Sequence, residues 1–116
     1  MISTFQLLID GAWRDGSDGA AEDVLDPATG ESIGQVAHAS IDDLDEALDA
    51  ASRGLREWSS VPPWERGTIL KRAAELLRAD IDAVALTLTR EQGKPLVEAK
   101  EEVERSAEFL EWGGEQ

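Results

Sequence analysis

The sequence contains no cysteine, one histidine (His38) and three lysines (Lys71, Lys94 and Lys100) in 116 residues. Without cysteine, residues 1–116 hold no disulfide, no thiolate-based metal site and no thiol nucleophile. Histidine is nearly as scarce. A general base needs a reacting proton within hydrogen-bond reach, and a metal needs further ligands. His38, at the end of a strand pattern, has no evident partner and reads as a surface or structural residue. Basic residues are few as well: 11 Lys+Arg stand against 25 Asp+Glu, a net charge of -14 and a sequence pI near 4.2. Nucleic acid is therefore excluded as a partner, because phosphate binding needs clustered Lys and Arg to release counterions. Anionic membrane surfaces are disfavoured for the same reason. Such an acid-rich, lysine-poor surface suits a halophilic protein that is more folded in molar salt than in dilute buffer.

Long hydrophobic runs are missing too. The opening "MISTFQLLID" lacks a basic leader, so no signal peptide is expected. No stretch approaches the ~20 apolar residues that span a bilayer. A soluble, cytoplasmic protein is the expectation. The short catalytic motifs are likewise wanting. There is no Gly-x-Ser-x-Gly elbow, Ser-x-x-Lys pair, Gly-x-Gly-x-x-Gly loop or Walker-type phosphate loop.

What is present suffices for a packed core, at 41% hydrophobic residues. The length allows one domain at most and is small for an enzyme holding a large cofactor. The predicted fold class is α+β, with a β-hairpin region over residues 1–39 and about four amphipathic helices over 40–116. Asp10-Gly11 between Leu7-Leu8-Ile9 and Ala12-Trp13 predicts a tight hairpin, since Gly accepts the positive φ of a type I′ turn. The stretch "RDGSDGAAED" reads as a loop. Its acids invite a calcium reading but do not fit the spacing of an EF-hand loop. A second hairpin follows from Val24-Leu25 to Ile33 and Val36, turning through Pro27 and Gly30.

Ser40 is the predicted N-cap of the first helix, and Asp42 and Asp43 suit its positive dipole end. Ile41, Leu44, Leu48, Ala51, Leu55 and Trp58 recur on one face, Gly54 weakens the interior, and Ser59 to Pro63 end it. A second helix runs from Trp64 to about Ala79, with Leu70, Ala73, Ala74 and Leu77 as its buried stripe. Asp80 caps a third through Ile81, Val84, Ala85 and Leu88 to Gly93, or else a single bent helix crosses Asp80. Pro95 opens the last, where Leu96, Ala99, Val103, Ala107 and Leu110 face inward and Gly113-Gly114 stop it. Glu98, Glu101, Glu102 and Glu104 could be taken as catalytic or metal-binding, but charge on the outside of an amphipathic helix is expected. Trp58, Trp64 and Trp112 flank helix ends and read as packing anchors. The residues themselves assign no catalytic, cofactor-binding or metal site.

The order of the segments "LLIDGAWRDG", "DPATGESIGQV", "ASIDDLDEALDAA", "WERGTILKRAAELL", "LTREQGKPLVEA" and "EFLEW" resembles the N-terminal segment of the NAD(P)-dependent aldehyde dehydrogenase superfamily. The likeness runs from Leu7 to Trp112. "EQGKPLVEAK" looks most like the succinate-semialdehyde dehydrogenases. The family usually has Asn where Asp26 stands, and both side chains support an Asx turn. The resemblance implies the leading part of the α/β aldehyde dehydrogenase fold, a truncated portion of its cofactor-binding domain.

It also implies a reaction carried elsewhere. In such enzymes a cysteine thiolate attacks the aldehyde, hydride passes to the nicotinamide of NAD or NADP, and a glutamate activates the water that cleaves the thioester. The nucleophile, base, oxyanion Asn and cofactor-gripping Lys lie in downstream segments, so none is carried over to this sequence. No cofactor is expected to be bound by this chain alone, and the aldehyde is a substrate only of the full-length parent. Some members hold a monovalent cation near the hairpin, with an acidic neighbour at about the position of Glu102. The family continues past "FLEW", whereas Gly113-Gly114-Glu115-Gln116 closes this sequence, as a truncated or split reading frame or a cut piece would. Expected partners are the remainder of such an enzyme, or self-association. The alternative is a non-catalytic interaction module that docks on a full-length relative.

Overall fold

The computed structural model describes residues 4–116; Met1–Ser3, the start of the stretch "MISTFQLLID" read above for a leader, lie outside the described residues. The elements are β1 (Thr4–Phe5), β2 (Leu7–Ile9), β3 (Ala12–Arg14), β4 (Ala21–Leu25), β5 (Ser32–Ala37), α1 (Ile41–Ser60), α2 (Pro63–Ala79), α3 (Ile81–Gln92) and α4 (Leu96–Glu115). The class is α+β, as the sequence predicts. The chain forms two compact units, one ending at Ser59 and the other beginning at Ser60.

In the first unit, β2 and β3 pair antiparallel with Ile9 opposite Ala12. Asp10 (φ 51°) and Gly11 (φ 77°) both take the left-handed conformation, which makes the turn type I′. A three-stranded sheet is ordered β1-β5-β4, with β1 parallel and β4 antiparallel to β5. The β4–β5 turn is an Asx turn. Asp26 accepts from the Ala28 amide at 2.8 Å, and its carbonyl accepts from the Gly30 amide at 2.7 Å. The predicted loop of residues 14–23 is shorter than expected. Arg14 closes β3, and Ala21, Glu22 and Asp23 already pair with Ala37, Val36 and Gln35. Pairing outweighs the poor strand propensity of Glu and Asp, and Asp23 accepts a cross-strand hydrogen bond from Gln35 at 3.1 Å. Two-residue β1 is too short to leave a pattern in sequence.

α1 runs through Ser59 and Ser60 rather than ending at them. The Ser59 hydroxyl donates to the Leu55 carbonyl within the helix at 2.6 Å, and Pro62-Pro63 make the stop.

The second unit packs three helices. Ala85, Ala99 and Val103 form its buried cluster, with Leu77, Ile81 and Leu88 against it, so α2, α3 and α4 each present the stripe that their spacing predicts. Val84 and Leu96, assigned to those inward faces from the sequence, are exposed. α2 and α3 are separate helices divided at Asp80. Its carboxylate makes no capping bond; its backbone amide closes α2 on Leu76 instead. Gly93 ends α3 in the left-handed conformation.

α4 continues past its predicted stop at Gly113-Gly114. The reason is a close crossing with α2: a Cβ at Gly67 would lie 2.4 Å from the Gly114 carbonyl oxygen. Gly67→Ala must push α2 and α4 apart and is expected to cost about 1–3 kcal/mol in urea denaturation. An unchanged midpoint would show that the crossing spreads freely.

Candidate functional site

The buried polar centre of the first unit is Asp43, 2% exposed at the first turn of α1. Ser40 caps the helix as predicted, its hydroxyl accepting from the Asp43 amide at 3.1 Å. Asp43 answers by accepting the Ser40 amide at 2.9 Å, completing a capping box. The same carboxylate accepts the Ser17 amide at 2.9 Å, and its other oxygen accepts from Arg14 at 3.1 Å. Arg14 also reaches Glu46 at 2.6 Å. One side chain thus ties β3, the loop after it and the start of α1 together. From sequence alone Asp43 is a residue that suits the helix dipole and no more. The Ser40-x-x-Asp43 spacing was the available signal for the box, and nothing local announces Ser17.

Backbone amides of Ser17 and Ser40, then their hydroxyls, hold the Asp43 carboxyl at about 2 instead of 3.8, against desolvation acting the other way. Because the folded value lies below the ordinary one, this stabilisation is complete above pH about 4 and is lost as pH falls towards 2. Asp43→Asn is expected to lower the melting temperature by on the order of 10 °C and to remove that portion of the acid dependence. Circular dichroism melts from pH 2 to 7 read both. Parallel acid limbs in the two proteins would contradict it.

Asp43 is a structural pin: Oδ2 accepts from Ser17 and Ser40 and Oδ1 from Arg14, so both carboxylate oxygens are engaged by its own chain. The other candidates are no more reactive. His38 does have a partner: its Nε2 lies 3.0 Å from Oε2 of Glu22 in β4, joining that strand to the residue just after β5 in a pair that is exposed on both sides. Glu98 and Glu101 are exposed, Glu102 pairs with Lys94, and Glu104 accepts from Arg78 at 2.6 Å. Arg78 also grips Glu111 at 2.5 and 2.9 Å, which depresses the Glu111 carboxyl. These four glutamates therefore do not converge. Among the described residues no three His, Asp or Glu side chains gather in a way that could hold a metal ion.

The tryptophans depart from expectation. Trp64 (71% exposed) and Trp112 (63%) anchor no core in this chain, and Trp58 is exposed too. Trp112 instead lines an apolar groove on α4 with Arg105, Glu108 and Phe109, of about 280 Å³. Helical spacing sets these four on one face. The groove has no glycine-rich turn and no converging backbone amides. It does not fit a dinucleotide, whose pyrophosphate needs such a cradle. Its open apolar character is that of a packing surface.

With a well-formed fold and no reactive cluster among the described residues, the chain is best placed by its relatives. Residues 13–116 match the aldehyde dehydrogenase family. The chain belongs to that family. A succinate-semialdehyde dehydrogenase (NADP(+)) of Escherichia coli strain K12 is 42% identical over 111 residues, which are 96% of this chain and 23% of that protein. A glutarate-semialdehyde dehydrogenase of Pseudomonas aeruginosa is 41% identical over the same shares. Among solved structures, an aldehyde dehydrogenase from Brucella melitensis biovar abortus superposes with a TM-score of 0.93 at 42% identity, covering 95% of this chain and 23% of that one. An NAD-dependent aldehyde dehydrogenase from Sinorhizobium meliloti gives 0.95 at 29% identity, covering 100% and 24%. The chain thus spans about a quarter of the length of the aldehyde dehydrogenases it matches. Among the described residues no helix is long and apolar enough to cross a membrane.

Proposed function

We propose that residues 1–116 are the N-terminal structural quarter of an NAD(P)-dependent semialdehyde dehydrogenase, which oxidises an aldehyde carrying a distal carboxylate to the dicarboxylic acid. The observation that carries this reading is the 42% identity, over nearly the whole chain, to a succinate-semialdehyde dehydrogenase. The supporting chemistry is negative and local. Residues 1–116 have no cysteine to form a thiohemiacetal, and the α4 groove has no cradle for a pyrophosphate. In this reading the segment scaffolds the cofactor-binding body, and thiol, base and dinucleotide grip come from the part of the fold beyond it. Phe109 and Trp112 are the surface on which that body would pack. Bound to that body, NAD or NADP would accept the hydride.

Purified residues 1–116, given succinate semialdehyde with either dinucleotide, are expected to produce no reduced nicotinamide above a blank. Production that stays at constant specific activity through repeated purification would overturn the proposal, because it would place the chemistry inside this segment.

A further inference from the structure

Asp-Gly occurs three times ahead of α1, at Asp10-Gly11, Asp15-Gly16 and Asp18-Gly19. Such a step can react with itself, because glycine shields its amide nitrogen with no side chain and lets the aspartate carboxyl carbon come within reach. All three lie in the first unit, and bonding inside that unit tells them apart.

At Asp18-Gly19 both reacting groups are held. The Gly19 amide donates to the Gly16 carbonyl at 2.9 Å, and Asp18 Oδ1 accepts from the Ala20 amide at 3.0 Å. At Asp15-Gly16 the glycine is buried, so close to the His38 carbonyl that a Cβ there would overlap its oxygen. Asp15 Oδ1 accepts from Gln6 at 3.1 Å, and the next residue, Ser17, is pinned to Asp43. Asp10-Gly11 is freer. The pairing of Ile9 with Ala12 closes the hairpin and leaves the Gly11 amide outside the ladder, with no hydrogen bond among the described residues. Asp10 is held by Arg53 alone, at 3.0 Å in an exposed ion pair of the kind that stabilises little. It is also the one non-glycine residue with a positive φ, 51°, among the described residues, so opening the turn relieves strain. A two-stranded hairpin resists such opening only weakly.

We propose that Asp10-Gly11 is a self-modification site, at which Asp10 converts to isoaspartate. The Gly11 nitrogen attacks the side-chain carboxyl carbon of Asp10. A C–N bond forms, and the carboxyl hydroxyl leaves with the amide proton as water, giving a five-membered succinimide. Water then adds at the former main-chain carbonyl of Asp10, whose bond to the Gly11 nitrogen breaks as that nitrogen regains a proton. Nothing is oxidised or reduced. The chain now runs through the former side-chain carbon, one methylene longer, and the α-carboxylate is free. A two-residue type I′ turn has no room for the extra atom, so β2 and β3 lose the register that sets Arg14 against Asp43. This inference goes beyond the proposed function and does not depend on it.

For the test, folded residues 1–116 are aged at mildly acidic pH in water enriched in heavy oxygen, then cut with trypsin in ordinary water. The first basic residue is Arg14 and the next is Arg53, so one peptide carries Asp10 and another carries Asp15 and Asp18. Methylation by an isoaspartyl carboxyl methyltransferase counts the isoaspartate in each, and mass counts the heavy oxygen that ring opening adds. The peptide ending at Arg14 is expected to give roughly tenfold more of both, the factor by which a hydrogen-bonded or buried amide is protected. Asp10→Glu, which would need a larger and slower ring, should silence that peptide. Should the variant unfold, guanidinium chloride still decides. It removes the protection, and the peptide with two Asp-Gly steps should then give about twice the signal of the peptide with one. Equal signals from the folded chain, a stronger signal from the second peptide, the same ratio folded and unfolded, or a first-peptide signal that survives Asp10→Glu overturns the proposal.

Discussion

On raising KCl from about 0.01 M to about 2 M at pH 7, residues 1–116 are expected to gain helical ellipticity and roughly 10 °C or more in melting temperature. The cause is the unbalanced charge of -14. Most of the bases are already used: Arg14, Arg53, Lys71, Arg72, Arg78, Lys94 and Lys100 each hold an acid. Asp42, Asp45 and Asp49 on α1, and Glu98, Glu101 and Glu108 on α4, are exposed with no ion pair among the described residues. Repulsion among such groups reaches about 30 Å at 0.01 M salt and about 3 Å at 1 M, so salt removes the long-range cost while leaving the buried Asp43 contacts intact. Exposed pairs weaken in salt as well, but each is worth only about 0–1 kcal/mol. The surplus therefore wins. Melts indifferent to KCl would show that the acids are spaced widely enough not to matter, and would end the halophilic reading.

Much of the fold was legible because its signals are local. Asp10-Gly11 dictates the first turn, Pro27 with Gly30 dictates the second, and the helical spacing of Ala85, Ala99 and Val103 puts each on an inward face. The misreadings are places where contact outweighs local preference. Glu22 and Asp23 become strand because β5 lies alongside, and α4 outruns its glycines because Gly114 is where α2 comes closest. Val84 and Leu96 are apolar residues that a periodicity argument assigns inward, Trp112 reads from its place near a helix end as a packing anchor, and this chain leaves all three uncovered. The Asp43 pin was half legible. Its capping box is written in four consecutive residues, whereas the Ser17 and Arg14 contacts join positions 26 and 29 residues away. For the site, the sequence offered a resemblance and a list of absences; the structure adds that none of the carboxylates once weighed as candidates gathers around a common point.

The central claim is that residues 1–116 supply structure to a semialdehyde dehydrogenase and no chemistry. It is tested most directly by replacing the matching segment of the Escherichia coli succinate-semialdehyde dehydrogenase with residues 13–116 of this chain. Because 42% identity over the matched length preserves the fold at a TM-score above 0.9 in solved relatives, the chimera should assemble. Its NADP-dependent oxidation of succinate semialdehyde should stay within about tenfold of the parent kcat/KM, the loss expected when only remote packing changes. A chimera that is folded by circular dichroism and gel filtration yet shows no turnover would contradict the account, since the exchanged segment would then have carried a catalytic group that this chain lacks.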